Sequence, residues 1–161
     1  MYAYQLKALV QRDRVLRAVF LGVFSKNTLP KLVVEGQAFI ANTQHSSRVG
    51  RHWVSFWYSK DRVLYALDPL AKPIRSYGQE FADFIDGLKP KRVIELKTAV
   101  QDEKKSELCG YFNILFLHYL VRNHSIYYVL FFILRKPISD NDSIVRKFIR
   151  EKFGYKRKIK I

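Results

Sequence analysis

The chain has 161 residues, 48% of them apolar, which is enough for one sizeable core, too little length for two, and too apolar for intrinsic disorder. Its 29 Lys and Arg against 14 Asp and Glu give a formal net charge of +15, more than solubility needs and a field that attracts polyanions, nucleic acid first among them. A single cysteine, Cys109, excludes an intramolecular disulfide and a cysteine-based zinc site, and no uninterrupted apolar stretch reaches membrane-spanning length.

The opening residues lack the charged-then-apolar pattern of a signal peptide, so a reducing compartment is expected. Tyr2, Leu6, Leu9 and Val10 fall at helical spacing and predict a short helix within residues 2–12. Val15 to Phe24, rich in Val, Phe and Leu and carrying Gly22, predicts a strand running into a turn at Ser25 to Pro30. Gln37 to Thr43 predicts a second strand, and His45 to Gly50 a polar loop. Trp53 to Tyr58 and Arg62 to Leu67, separated by Ser59-Lys60-Asp61, predict a hairpin. Glu80 to Leu88 places Phe81, Phe84, Ile85 and Leu88 on one side of a helix that stops before Pro90, and Val93 to Leu96 reads as a short strand.

Gln101 to Glu107 is wholly polar, and Cys109 to Val121 carries Phe112, Phe116, Leu117 and Leu120 at helical spacing, which puts Cys109 at a helix start. Arg122, Asn123 and His124 then form a turn, and Ile126 to Leu134 fits helix or strand equally well. Ser139 to Asp142 offers an N-cap for a last helix, Ile144 to Phe153, ahead of a basic tail from about residue 154 to 161. The whole chain, 1–161, is expected to be one domain.

A cysteine nucleophile must be thiolate, which a helix N-terminus and an adjacent imidazole both favour. Cys109-Gly110 has the first feature, and the glycine would let substrate and backbone approach closely beside the sulfur. The alternative is that Cys109 is a small buried hydrophobe. The hairpin offers partners. A symmetric turn centred on Lys60 pairs Tyr58 with Arg62, Phe56 with Leu64, Val54 with Ala66, and His52 with Asp68. Directly opposed residues share a face with Cβ atoms roughly 5 Å apart, near enough for a carboxylate to orient an imidazole. His52 as a strand-end surface histidine and Asp68 as a turn former before Pro69 are the plainer readings.

The segments Gly50-Arg51-His52-Trp53-Val54-Ser55-Phe56, Leu64-Tyr65-Ala66-Leu67-Asp68-Pro69-Leu70, and Gln101 ahead of Ser106-Glu107-Leu108-Cys109-Gly110-Tyr111-Phe112 resemble the adenovirus maturation protease (adenain) family. They are also similar to proteases of Maverick/Polinton-type elements and virophages. The likeness extends through Phe20 to Phe24, Ala41 to Thr43 and Phe116 to His118. It implies an α+β, papain-like cysteine protease fold in permuted chain order, with a central, mostly antiparallel sheet against the helix that carries the nucleophile. It further implies His52 as general base, Asp68 as the residue orienting it, Cys109 as nucleophile, and an oxyanion hole made of Gln101 and the backbone N–H of Cys109.

The implied function is cleavage of capsid or core precursors during maturation of a DNA virus or virus-derived element, with small residues such as glycine near the scissile bond. The expected location is the virion and the host cytoplasm or nucleus. The same order of residues in ubiquitin-like-protein proteases keeps an isopeptidase open, and the charge keeps open a non-catalytic, DNA-binding virion protein. The sequence departs from the adenovirus enzymes in two ways. Aspartate stands at position 68 where they typically have glutamate, and the lack of a second cysteine excludes an activator peptide held by a disulfide. Nucleic acid bound electrostatically through its phosphates remains the expected partner and DNA a possible activator; no metal or other cofactor and no membrane is implied.

Other residues offer less. His45 lies beside Ser46 and Ser47 without an acid at identifiable spacing, while His118 and His124 read as structural. Trp53 and Trp57 share the face opposite His52, where core packing is expected.

Overall fold

The computed structural model describes residues 1–134 and 137–154, so most of the predicted basic tail lies outside the described residues. The chain opens with α1 (Ala3–Gln11), whose Leu6, Leu9 and Val10 are buried as the helical spacing predicts. The next segment corrects the sequence reading. Arg14–Val19 is a helix, α2, and only Phe20–Ser25 is strand β1. Asp13 is the cause: its side chain accepts the N–H groups of Val15 and Leu16 at 3.1 and 3.0 Å, an N-cap that outweighs the β-propensity of the residues after it. Within β1, Gly22 at φ +146° sits where the pairing register breaks between Phe20 and Val23, a bulge conformation that a side chain would strain.

Strands β2 (Gln37–Asn42), β3 (Trp53–Tyr58), β4 (Val63–Leu67) and β5 (Arg92–Ile94) complete a sheet in the order β1-β2-β3-β4-β5. The two inner pairings are antiparallel and the two outer ones parallel. The β3–β4 hairpin forms, but two residues out of the predicted register: Tyr58 faces Leu64 and Phe56 faces Ala66. Its loop takes in Arg62, which adopts φ +61° after the Ser59 O to Arg62 N turn bond of 3.0 Å. A type I turn followed by a left-handed residue closes the strands one residue later than a symmetric turn would. Because the slip is even, every side chain keeps its predicted face.

The sheet is covered on both faces. On one, Trp53, Trp57, Ala38 and Ile40 pack with the buried α4 (Cys109–Leu120), with α1, and with α6 (Asn141–Phe153). On the other, Phe39, Val54, Phe56, Leu64 and Ala66 meet Phe81 and Ile85 of α3 (Gln79–Leu88). Stacked Phe39 and Phe56 rings, 4.6 Å between centroids, centre this second core. The ambiguous apolar run is helical: α5 (Ile126–Tyr128) continues into a π-turn at Val129–Ile133. Among the described residues no helix is long and apolar enough to cross a membrane.

The expected cap of α6 takes another form. Asp140 occupies the cap position without a side-chain cap bond. Asn141 instead donates to the Val100 carbonyl at 2.9 Å, and Asp142 accepts from Ser106 Oγ at 2.7 Å. These residues fasten the loop that leads to Cys109.

Candidate active site

The site forms where strand ends meet a helix start. His52 lies one residue before β3, and its carbonyl accepts the Thr43 N–H at 3.0 Å, which extends the pairing with β2 by one rung. Asp68 lies one residue after β4. His52 Nε2 and Asp68 Oδ1 are 2.7 Å apart. The observed register makes them diagonal instead of opposed, yet they remain on one side and in contact. Asp68 is 1% exposed and takes two further donors, the Leu70 N–H on Oδ1 at 2.8 Å and the Tyr77 hydroxyl on Oδ2 at 2.5 Å. A carboxylate so held is fixed in both position and orientation.

With Nε2 taken by Asp68, Nδ1 is the ring nitrogen left for Cys109, which lines the same cleft. Burial disfavours the charged ring, but the hydrogen bonds to Asp68 and Cys109 and their charges outweigh it, and the His52 imidazolium is raised from 6.5 to about 9. The ring is therefore charged at neutral pH and faces a sulfur. Burial and the Asp68 carboxylate both push the Tyr77 hydroxyl upward, so it remains a donor.

Cys109 is the first residue of α4, where N–H groups have no acceptor within the helix. Gln101 is buried nearby, and its Nε2 donates one hydrogen to the Ser106 carbonyl at 2.9 Å, leaving a second. The N–H groups of Val100 and Gln101 both bond the Pro69 carbonyl, at 2.9 and 3.2 Å, so the Gln101 loop is tied to the residue following Asp68. His52, Gln101, Cys109, Tyr77 and Trp53 all line one cleft of about 780 Å³. The structure thus gathers all four predicted site residues in a single place.

Gly110 has a close packing neighbour that the sequence did not reveal. A Cβ there would lie 2.6 Å from Met1 Sδ and 2.9 Å from Leu6 Cδ2. The bare Cα lets the N-terminal segment pack on the first turn of α4. Met1 also reaches the cleft wall, where its carbonyl accepts from Trp53 Nε1 at 3.2 Å. The other histidines lie elsewhere. His45 bonds Ser47 in an exposed loop, and His124 stacks on Tyr128. His118 Nδ1 lies 2.7 Å from the buried Asp13, which Arg122 also bonds at 2.7 Å, a pairing that holds the Asp13 carboxyl far below its ordinary range against the opposing effect of burial. Tyr77, which holds Asp68, carries no mark in the sequence that singles it out as a site residue.

The sequence matches the model of the adenovirus endoprotease family over residues 20–136. No curated protein matches it. Among solved structures it is similar to the central domain of the uncharacterised Lpg1148 protein of Legionella pneumophila, with a TM-score of 0.56 and 14% identity over 96% of this chain and 97% of that one, a likeness of fold alone. The matched span holds His52, Asp68, Gln101 and Cys109 and most of the chain, and the chain belongs to the adenovirus endoprotease family.

Proposed function

We propose that the protein is a cysteine endopeptidase with papain-type chemistry in permuted chain order, acting on capsid or core precursors of a DNA virus or virus-derived element. The observation that carries the chemistry is the line Asp68–His52–Cys109 at a helix start, with the imidazolium raised to about 9. Family membership supports a protein substrate.

In this reading the Cys109 sulfur, as thiolate beside the His52 imidazolium, attacks the scissile carbonyl carbon. The carbonyl electrons move to oxygen, and the free hydrogen of Gln101 Nε2 and the N–H of Cys109 bind that oxyanion; one such donor is worth roughly 3 kcal/mol. As the tetrahedral adduct collapses, the C–N bond breaks and His52 gives its Nδ1 proton to the leaving amine. A thioester on Cys109 remains. Water then attacks it, His52 takes the water proton, and the acid leaves as the sulfur departs. Asp68 keeps the ring turned so that Nδ1 faces the sulfur throughout.

Nucleic acid is the proposed partner because of the +15 charge, and such binding should weaken steeply as salt rises. The test is incubation of the purified protein with the capsid precursors encoded beside it, and mapping of new termini by mass spectrometry. Discrete cuts that vanish in Cys109→Ala are expected. Selective cleavage of a ubiquitin-like conjugate with the precursors left intact would overturn the maturation role.

A further inference from the structure

From Tyr111 to Leu117 the nucleophile helix is aromatic or aliphatic at every position except Asn113. Asn113 is 0% exposed, in the interface between α4 and β3. A carboxamide in such an interface is costly unless its polar groups are paired. Its two amide hydrogens are both used: Nδ2 donates to the Cys109 carbonyl at 2.9 Å and to the Trp53 carbonyl at 2.6 Å. One acceptor belongs to the nucleophile and the other to the residue that follows the base. The Trp53 carbonyl also lies past the last β3–β4 rung, Ser55 with Leu67. The amide therefore reaches backbone that the ladder leaves over.

We propose that Asn113 is the positioning residue of the cysteine protease, a bracket that fixes the backbone of His52-Trp53 against that of Cys109 and so sets the gap between imidazole and sulfur. Asp68 and Tyr77 hold the ring from its far side, and Asn113 holds the near side by its backbone. Its Oδ1 is buried without a hydrogen-bond partner. Packing alone would favour an aliphatic residue, because the unpaired oxygen costs stability. A local rule broken inside a core is expected where geometry at a site demands it.

The inference rests on the protease reading, and the test separates the two. Iodoacetamide alkylation of Cys109 would be followed against pH in the wild type, Asn113→Ala, Asn113→Ser (which retains one donor) and Leu117→Ala, a core control on the same helix. Peptide cleavage would be measured as kcat and KM, below the melting point of each variant. Asn113→Ala should lower kcat on the order of 100-fold with KM unchanged, as expected for a displaced reacting group, and should be alkylated more slowly than the wild type at neutral pH. Asn113→Ser should lie between, and Leu117→Ala should keep the wild-type pH profile despite its lower melting point. A wild-type alkylation profile in folded Asn113→Ala or Asn113→Ser would overturn the proposal. A wild type that is alkylated at neutral pH but cleaves no peptide would sink the protease reading, and the alkylation series would still decide the role of Asn113.

Discussion

Replacing Asp68 with asparagine tests the charge of the site with little change of shape. An amide oxygen at the Oδ1 position still accepts the Leu70 N–H and the His52 Nε2–H, and the Tyr77 hydroxyl can turn to accept from the new NH2 group. What disappears is the negative charge. Burial opposes the His52 imidazolium, and the Asp68 hydrogen bond is the largest effect on the other side, ahead of that of Cys109. The net rise from 6.5 to about 9 corresponds to about 3 kcal/mol in favour of the charged ring. With residue 68 neutral, Cys109 alone opposes burial. A loss of about 2 kcal/mol would cut the ratio of charged to neutral His52 on the order of 30-fold. The direction follows from the sign: a raised imidazole is charged at all pH values below about 9, and Asp68→Asn brings its titration back toward the ordinary value or below. The His52 Hε1 resonance would report the titration, and Cys109 alkylation between about pH 6 and 8 would report the pair. An Asp68→Asn protein whose His52 still titrates near 9, with unchanged alkylation at neutral pH, would refute the reasoning.

Tyr77→Phe removes a donor to the Asp68 carboxylate and should cost about 1.5–3 kcal/mol in chemical denaturation, while His52 stays charged at neutral pH because Asp68 keeps its charge. A His52 titration that falls as in Asp68→Asn would contradict this. Gly110→Ala drives a methyl into Met1 and Leu6 and should destabilise by about 1–3 kcal/mol without raising KM; a raised KM at unchanged stability would restore a substrate role for the glycine. Arg122→Ala leaves the buried Asp13 short of its cation and should cost about 3–5 kcal/mol, measured by urea unfolding. The Asp13 carboxyl is depressed in the folded chain, so its contribution is present above about pH 4 and lost as pH falls below that. Asp13→Asn should flatten this acid limb, and an unchanged limb would assign acid unfolding to other carboxyls.

The sequence made the helix of Cys109 and the hairpin of His52 and Asp68 legible because both rest on local rules, 3.6-residue spacing in one and alternation around a turn in the other. The register was read two residues wrong, since the left-handed Arg62 leaves no mark in residue type. The site survived because parity decides which face a strand residue takes, and an even slip preserves parity. Val15 to Val19 were misread because their apolar, branched side chains were weighed and the cap at Asp13 was not. Tyr77 was out of reach: it joins Asp68 through a short 3-10 turn, Ile74–Tyr77, and no periodicity links the two. The packing neighbours of Gly110 were out of reach as well, because Met1 and Leu6 lie more than a hundred positions earlier. Spacing reports neighbours along the chain, and the remainder of the site is made by contacts across it.

The fastening of the Val100–Ser106 loop by Asn141 and Asp142 bears on the order in which the fold is completed. On the ribosome, His52, Asp68, Gln101 and Cys109 all emerge before the two residues that anchor this loop. A nascent chain that has just exposed Cys109 therefore lacks both bonds that fasten the loop ahead of it. The loop is thus completed by residues 36 and 41 positions further along the chain, and a chain cut short before α6 would lose both tethers at once.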